Sequence, residues 1–216
     1  MSSTKTDTDS ASARNPADWS DADWSKGGGL LPAIIQDAQT GQVLMLGYMN
    51  KDAALKTVES GLVTFFSRSK ERLWTKGETS GNHLVYCAAR LDCDRDTILV
   101  QALPAGPACH TGARTCFTDD LPSNAGFLAY LDQLVGQRRA EMPAGSYTTS
   151  LYSEGAARIA QKVGEEGVEL ALARMKDDRT EIANEAADLL YHMLVLLADA
   201  DMSLDEVIEV LRRRHT

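Results

Sequence analysis

What most constrains this chain is a change in hydrophobic rhythm across Asp119–Asn124. Before that point, apolar residues come in short runs broken by turn residues. Leu31 to Asp37 and Val43 to Leu46 flank a turn at Gly41, the pattern of a hairpin. Lys51 to Ser60 predicts a short helix, with Asn50 as its N-cap and Gly61 just past its end. Val63 to Ser67, Leu84 to Cys93 and Ile98 to Ala102 read as strands. Asp119 to Asn124 is polar and contains a proline, so it marks a boundary. Beyond it Phe127, Tyr130, Leu131, Leu134 and Val135 share one face of a helix. After a break at Met142 to Gly145, three more helices are expected, roughly Ser150 to Met175, Thr180 to Ala200 and Leu204 to Arg214. Strands first and helices afterwards predict two domains. The first is a strand-rich, metal-binding α+β domain over 25–120, preceded by a disordered tail over 1–24. The second is an all-α helical-bundle domain over 121–216. There is no internal repeat.

The 216 residues carry a formal net charge of -9, which argues against a nucleic-acid binder that must displace counterions with a basic face. Nucleotide substrates stay open, because divalent cations bridge carboxylates to phosphates. No apolar run is long enough to cross a bilayer, so no membrane partner is expected. The first 25 residues are rich in Ser, Thr, Asp and Ala and lack the apolar core of a secretory signal. A cytoplasmic protein is therefore expected. Its four cysteines, Cys87, Cys93, Cys109 and Cys116, are then thiols or metal ligands rather than disulfides.

Two sets of residues carry chemistry in the first half. Asp92, Asp94 and Asp96 alternate, and on an extended strand residues two apart point the same way. Three converging carboxylates suit a hard cation such as Mg²⁺, while Cys93 points to the other face. Downstream, Gly106 to Phe117 supplies Cys109, His110 and Cys116. Cys93, Cys109 and Cys116 together offer three thiolates for Zn²⁺, and three protein ligands with an open fourth position are the pattern of a catalytic zinc. His110, beside a proposed ligand, is a candidate proton-transfer group. Blander readings exist. An acidic triplet is often a solvated loop, and a buried free cysteine is often a small core residue, the reading given to Cys87.

In combination these residues resemble phosphoribosyl-AMP cyclohydrolases. The resemblance is carried by Asp92-Cys93-Asp94-Arg95-Asp96, by Gly106-Pro107-Ala108-Cys109-His110-Thr111-Gly112 with Cys116-Phe117, and by Phe66 to Lys70 and Leu73 to Asn82. It covers about Leu30 to Phe117. It implies Mg²⁺ on Asp92, Asp94 and Asp96, and Zn²⁺ on Cys93, Cys109 and Cys116 with ligands drawn from both subunits of a homodimer. The implied reaction is hydroxide attack at C6 of the adenine ring, opening the N1–C6 bond. Arg68, Trp74, Lys76, Gly77, Glu78, Ser80, Gly81 and Asn82 are the candidates for holding substrate, since a Gly-rich polar loop makes a phosphate cradle. Trp74 equally fits core packing, and Arg68, Ser80 and Asn82 equally fit a surface turn.

The second half places Glu165, Glu166 and Glu169 on one expected helix and Glu185 and Asp188 on the next. Residues three or four apart share a helix face. Carboxylates on facing helices build metal sites inside bundles, and an all-oxygen set favours Mg²⁺. Solvated surface acids are the ordinary alternative. The local sequence, Gly145 to Leu151, Gln161 to Glu166 and Asn184 to His192, resembles phosphoribosyl-ATP pyrophosphatases, over about Asn124 to Arg214. One departure is Gly167, where alanine is expected. The implied reaction is hydrolysis of the α–β phosphoanhydride of phosphoribosyl-ATP, with Arg158 and Lys162 as candidate phosphate contacts. His192 reads as a packed or capping histidine.

The product of the second domain would be the substrate of the first, two consecutive steps of histidine biosynthesis. Three rivals are a house-cleaning nucleoside triphosphate pyrophosphohydrolase with an accessory zinc domain, a non-catalytic metal-stabilised dimerisation module, and a chain with only one active half.

Overall fold

The computed structural model describes residues 19–117, 122 and 125–215. The chain divides into two compact units, Met1–Pro122 and Ser123–Thr216. Most of the expected linker and residues 1–18 of the expected tail lie outside the described residues. Trp19 to Trp24, however, fold. Trp19–Asp21 is a 3-10 turn, Trp19 and Ala22 are buried in the core, and Trp24 packs against them. Residues 19–24, assigned to the tail from sequence, are instead folded, because an indole offers a large apolar surface to bury.

The first unit is built on a four-stranded sheet ordered β2-β1-β6-β5. Strands β1 (Leu31–Asp37) and β2 (Val43–Met49) form the expected antiparallel hairpin. Strand β6 (Ile98–Pro104) runs parallel to β1, and β5 (Leu84–Leu91) pairs antiparallel with β6. Alternate residues Leu31, Ala33 and Ile35 of β1, and Ile98, Val100 and Ala102 of β6, are buried as a pleated strand requires. Helix α1 (Lys51–Ser60) follows β2 and buries Ala53, Ala54 and Thr57. The Asn50 side chain accepts from the Ala53 N–H, and Gly61, at φ 70°, donates to the Thr57 carbonyl. Both ends match the caps expected from sequence.

A second, two-stranded sheet joins β3 (Thr64–Ser67) to β4 (Arg72–Thr75). Strand β4 was not foreseen, being only four residues long and more polar than its partner. Cys87 is half-buried at a register shift between Tyr86 and Ala88. The bulge there removes it from the core position expected of it.

The second unit contains only helices among its described residues: α2 (Ala125–Glu141), α3 (Tyr147–Glu154), α4 (Ala156–Lys176), α5 (Arg179–Asp199) and α6 (Leu204–His215). The single helix expected from Ser150 onward is broken at Gly155, whose φ of 86° and ψ of 175° suit only glycine. Gly164 and Gly167 are both accommodated within α4. Helices α4 and α5 form a hairpin whose turn ends at Asp178, which accepts from the N–H groups of Thr180 and Glu181. Val135, Leu151, Ile159, Val195 and Ala198 make the core.

Candidate active sites

The Gly-rich loop and the cysteine loop line one cleft of about 500 Å³, with Trp74, Lys76, Gly77, Glu78, Ser80, Asn82, Cys109, His110 and Cys116 on its walls. Gly77 has φ 86°, and a Cβ there would lie 2.5 Å from the Asn82 carbonyl oxygen. Only glycine lets the loop fold back this closely. The Lys76 ammonium donates to that same carbonyl at 3.3 Å, and His83 Nδ1 lies 2.9 Å from the Lys76 carbonyl. Glu78 closes the β4 turn, accepting from Arg72 at 2.7 Å and from the Thr75 N–H at 3.2 Å. Trp74 packs on Phe65 at a ring separation of 5.0 Å and also lines the cleft.

The cysteine loop is pinned from below. Arg114 donates to Asp37 at 2.7 Å and to Gln42 at 3.0 Å, and the Cys116 N–H donates to the Leu44 carbonyl at 2.8 Å. Asp37 is 1% exposed, so this is a buried ion pair joining the loop to the β1–β2 hairpin. Cys109 and Cys116 interact with each other. The Thr111 hydroxyl, 3.2 Å from the Cys109 sulfur, pulls that thiol below its usual range, while burial pushes Cys116 up. His110 Nδ1 is 3.8 Å from the Cys109 sulfur. Two expected residues stand elsewhere. Arg68 lies over the Tyr48 ring at 3.9 Å, and neither it nor Gly81 lines the cleft. The exposed Cys93 does not join the other two thiols in a three-ligand group within one chain, among the described residues.

Asp92, Asp94 and Asp96 converge, with one carboxylate oxygen from each within 4.8 Å of the others. The route differs from the one expected. Strand β5 stops at Leu91, and the acids sit on the turn to β6, where Arg95 adopts φ 64°. Asp92 accepts from the N–H groups of both Asp96 and Thr97 at 3.0 Å. Loss of hydration pushes its pKa up, but these donors outweigh that and leave it low. The ammonium of Lys26, a residue the sequence does not single out, lies 3.1 Å from Asp94 and 3.0 Å from Asp96. Its one advance signal is a cation opening the Gly27-Gly28-Gly29 run.

In the helical unit, Glu166 on α4 meets Glu185 and Asp188 on α5, again with oxygens within 4.8 Å. Glu166 is 4% exposed and accepts from Lys162 at 2.6 Å, which holds its carboxyl low. Glu185 goes the other way. Burial and the neighbouring charges of Glu169 and Glu166 push it up, as like charges held close together do. Glu169 is therefore close, though outside the tightest group. Glu165 is not brought in. It pairs with Lys162 at 3.1 Å and Gln161 at 2.6 Å, with Arg158 at 3.8 Å. Lys162 and Arg158 thus hold acids here. His192, 4% exposed, contacts both Glu166 and Tyr147.

The phosphoribosyl-AMP cyclohydrolase family matches residues 45–118, and the phosphoribosyl-ATP pyrophosphohydrolase family matches residues 128–215. The histidine biosynthesis bifunctional protein HisIE of Salmonella typhimurium is 58% identical over 193 residues, covering 89% of this chain and 95% of that protein. The protein of the same name from Vibrio parahaemolyticus is 56% identical over 194 residues, covering 89% and 92%. The chain belongs to this bifunctional histidine biosynthesis family. Every N-terminal site residue from Arg68 to Cys116 lies within the cyclohydrolase match, and every helical one from Tyr147 to His192 within the pyrophosphohydrolase match. Lys26 lies outside both. Bifunctional HisIE relatives do not favour the house-cleaning alternative.

Proposed function

We infer that the helical unit hydrolyses phosphoribosyl-ATP to phosphoribosyl-AMP and pyrophosphate, and that the strand-rich unit then opens the adenine ring of phosphoribosyl-AMP at N1–C6. The observation that carries this reading is the presence of both families in one chain, each half holding a convergent carboxylate cluster. Both activities are metal-dependent, and the donor chemistry fits two kinds of ion. Asp92, Asp94 and Asp96, already cradling an ammonium, suit Mg²⁺, as do Glu166, Glu185 and Asp188 with Glu169 beside them. Cys109 and Cys116 suit Zn²⁺, with Cys93 of a second copy as the third thiolate. When bound, zinc supplies a water acidic enough to ionise near neutral pH, and Mg²⁺ neutralises phosphate charge.

The chain's own groups do the remaining work. His110, at the cleft wall beside Cys109, is suited to moving the proton as the ring opens. Lys76 and the Gly77–Asn82 loop form the phosphoribosyl cradle, with Trp74 beside the base. In the helical site, entry of a cation between the acids would free Lys162 to face a phosphate. A homodimer is supported by the separation of Cys93 from its partners and by the exposed stripe Val168, Leu172 and Met175 along α4. No described helix is long and apolar enough to cross a membrane, and four free thiols support a cytoplasmic setting.

The test is to supply phosphoribosyl-ATP with Mg²⁺ and Zn²⁺ and follow pyrophosphate release and ring opening separately. Both should occur, in that order. Hydrolysis of ordinary nucleoside triphosphates with none of phosphoribosyl-ATP would overturn the assignment.

A further inference from the structure

We propose that His192 is a positioning residue of the helical site, holding the Glu166 carboxylate toward Glu185 and Asp188 while the Asp188 carbonyl fixes the tautomer of its ring and the Tyr147 hydroxyl fixes its orientation. The inference rests on reading that cluster as a divalent-cation site. His192 Nδ1 lies 2.9 Å from the backbone carbonyl oxygen of Asp188, one turn earlier on α5. A carbonyl only accepts, so Nδ1 carries the hydrogen. The same nitrogen stands 3.5 Å from Oε1 of Glu166. One N–H therefore faces the backbone of one acid and the side chain of another, and ties α4 to α5 at the cluster. On the far side of the ring, Nε2 is 3.0 Å from the Tyr147 hydroxyl. With the hydrogen on Nδ1, Nε2 is placed to accept from the Tyr147 hydroxyl.

Burial makes this arrangement consequential. His192 and Glu166 are each 4% exposed, so neither can trade its partner for water at low cost. The ring is braced edge-on by Tyr191 at 5.3 Å and by Tyr147 at 6.1 Å. Tyr147 is the first residue of α3, and its neighbour Thr148 shares a 2.7 Å hydrogen bond with the Tyr191 hydroxyl. Two adjacent pairs thus anchor the start of α3 to α5. This gives the Gly145-Ser146-Tyr147-Thr148 motif a task that its sequence does not reveal: it sets the ring that sets Glu166. Groups that orient metal ligands in this way commonly contribute about tenfold or more to affinity.

The experiment uses the full chain with Asp94→Asn and Asp96→Asn, so that Mn²⁺ binding followed by electron paramagnetic resonance reports the helical site. Glu166→Gln should abolish binding. His192→Phe should weaken it about tenfold. His192→Asn, whose amide can donate from the Nδ1 position, should recover part of the loss. Tyr147→Phe should weaken binding and, in spectra of histidine-selective ¹⁵N label, shift the Nε2 resonance of His192 as its hydrogen bond is lost. Circular dichroism melts identify any variant that fails to fold, and Tyr147→Phe, altered by one oxygen, tests the proposal without relying on the ring substitutions. Unchanged Mn²⁺ binding in Glu166→Gln would overturn the site reading itself. Loss in Glu166→Gln, with parent-like binding in both His192→Phe and Tyr147→Phe, would overturn the positioning role alone.

Discussion

At the scale of single residues, the N-terminal acids are the clearest case of opposing charges arranged for exchange. The Lys26 ammonium sits between Asp94 and Asp96 at 3.1 and 3.0 Å, on a segment whose next three residues are glycines with positive φ. A divalent cation binding there must displace it. Lys26→Gln should therefore tighten Mg²⁺ binding at this site, read by isothermal titration calorimetry, and weaker binding would show that Lys26 supports the site instead. In the other unit, the Tyr152 hydroxyl is buried without a hydrogen-bond partner, and burial pushes its pKa up to about 12. Tyr152→Phe should raise stability by roughly 1 kcal/mol, because a buried unpaired hydroxyl is removed. A lower melting temperature would contradict that. The identities of the acids and thiols were legible in the sequence, but their geometry was not. Strand alternation predicted that Asp92, Asp94 and Asp96 would meet, and they meet because a turn curls them inward around a left-handed Arg95. Glu165 and Glu166 differ in position along the chain by one residue, yet only Glu166 turns into the cluster.

At the scale of elements, the loops that carry chemistry are held by contacts remote in sequence. The Asp37–Arg114 pair spans 77 residues and fastens the cysteine loop to the first hairpin. Arg114→Ala leaves a carboxylate that is 1% exposed without its cation, and should cost about 3 kcal/mol in urea unfolding of the first unit. A change under about 0.5 kcal/mol, the size of an ordinary surface substitution, would show that the pair does not pin the loop. Gly77→Ala should abolish ring opening while sparing pyrophosphate release, since the added Cβ meets the Asn82 carbonyl. Helix α1 was readable to both caps because Asn50 and Gly61 act locally. Strand β4 was missed because its pairing with β3 is set by the turn at Glu71, whose φ of 49° no local pattern announces. The break between α3 and α4 was missed because Gly155 sits inside a run whose apolar spacing continues on both sides.

At the scale of the whole molecule, the account holds that one chain carries two chemically separate sites. Each half has its own core and its own carboxylate cluster. The central claim is most directly tested by giving phosphoribosyl-ATP, with Mg²⁺ and Zn²⁺, to Cys109→Ala and Glu166→Ala variants in parallel. Cys109→Ala should release pyrophosphate and accumulate phosphoribosyl-AMP, whereas Glu166→Ala should release none yet open the ring of phosphoribosyl-AMP supplied to it. Loss of both steps in either variant, with its fold intact, would contradict it.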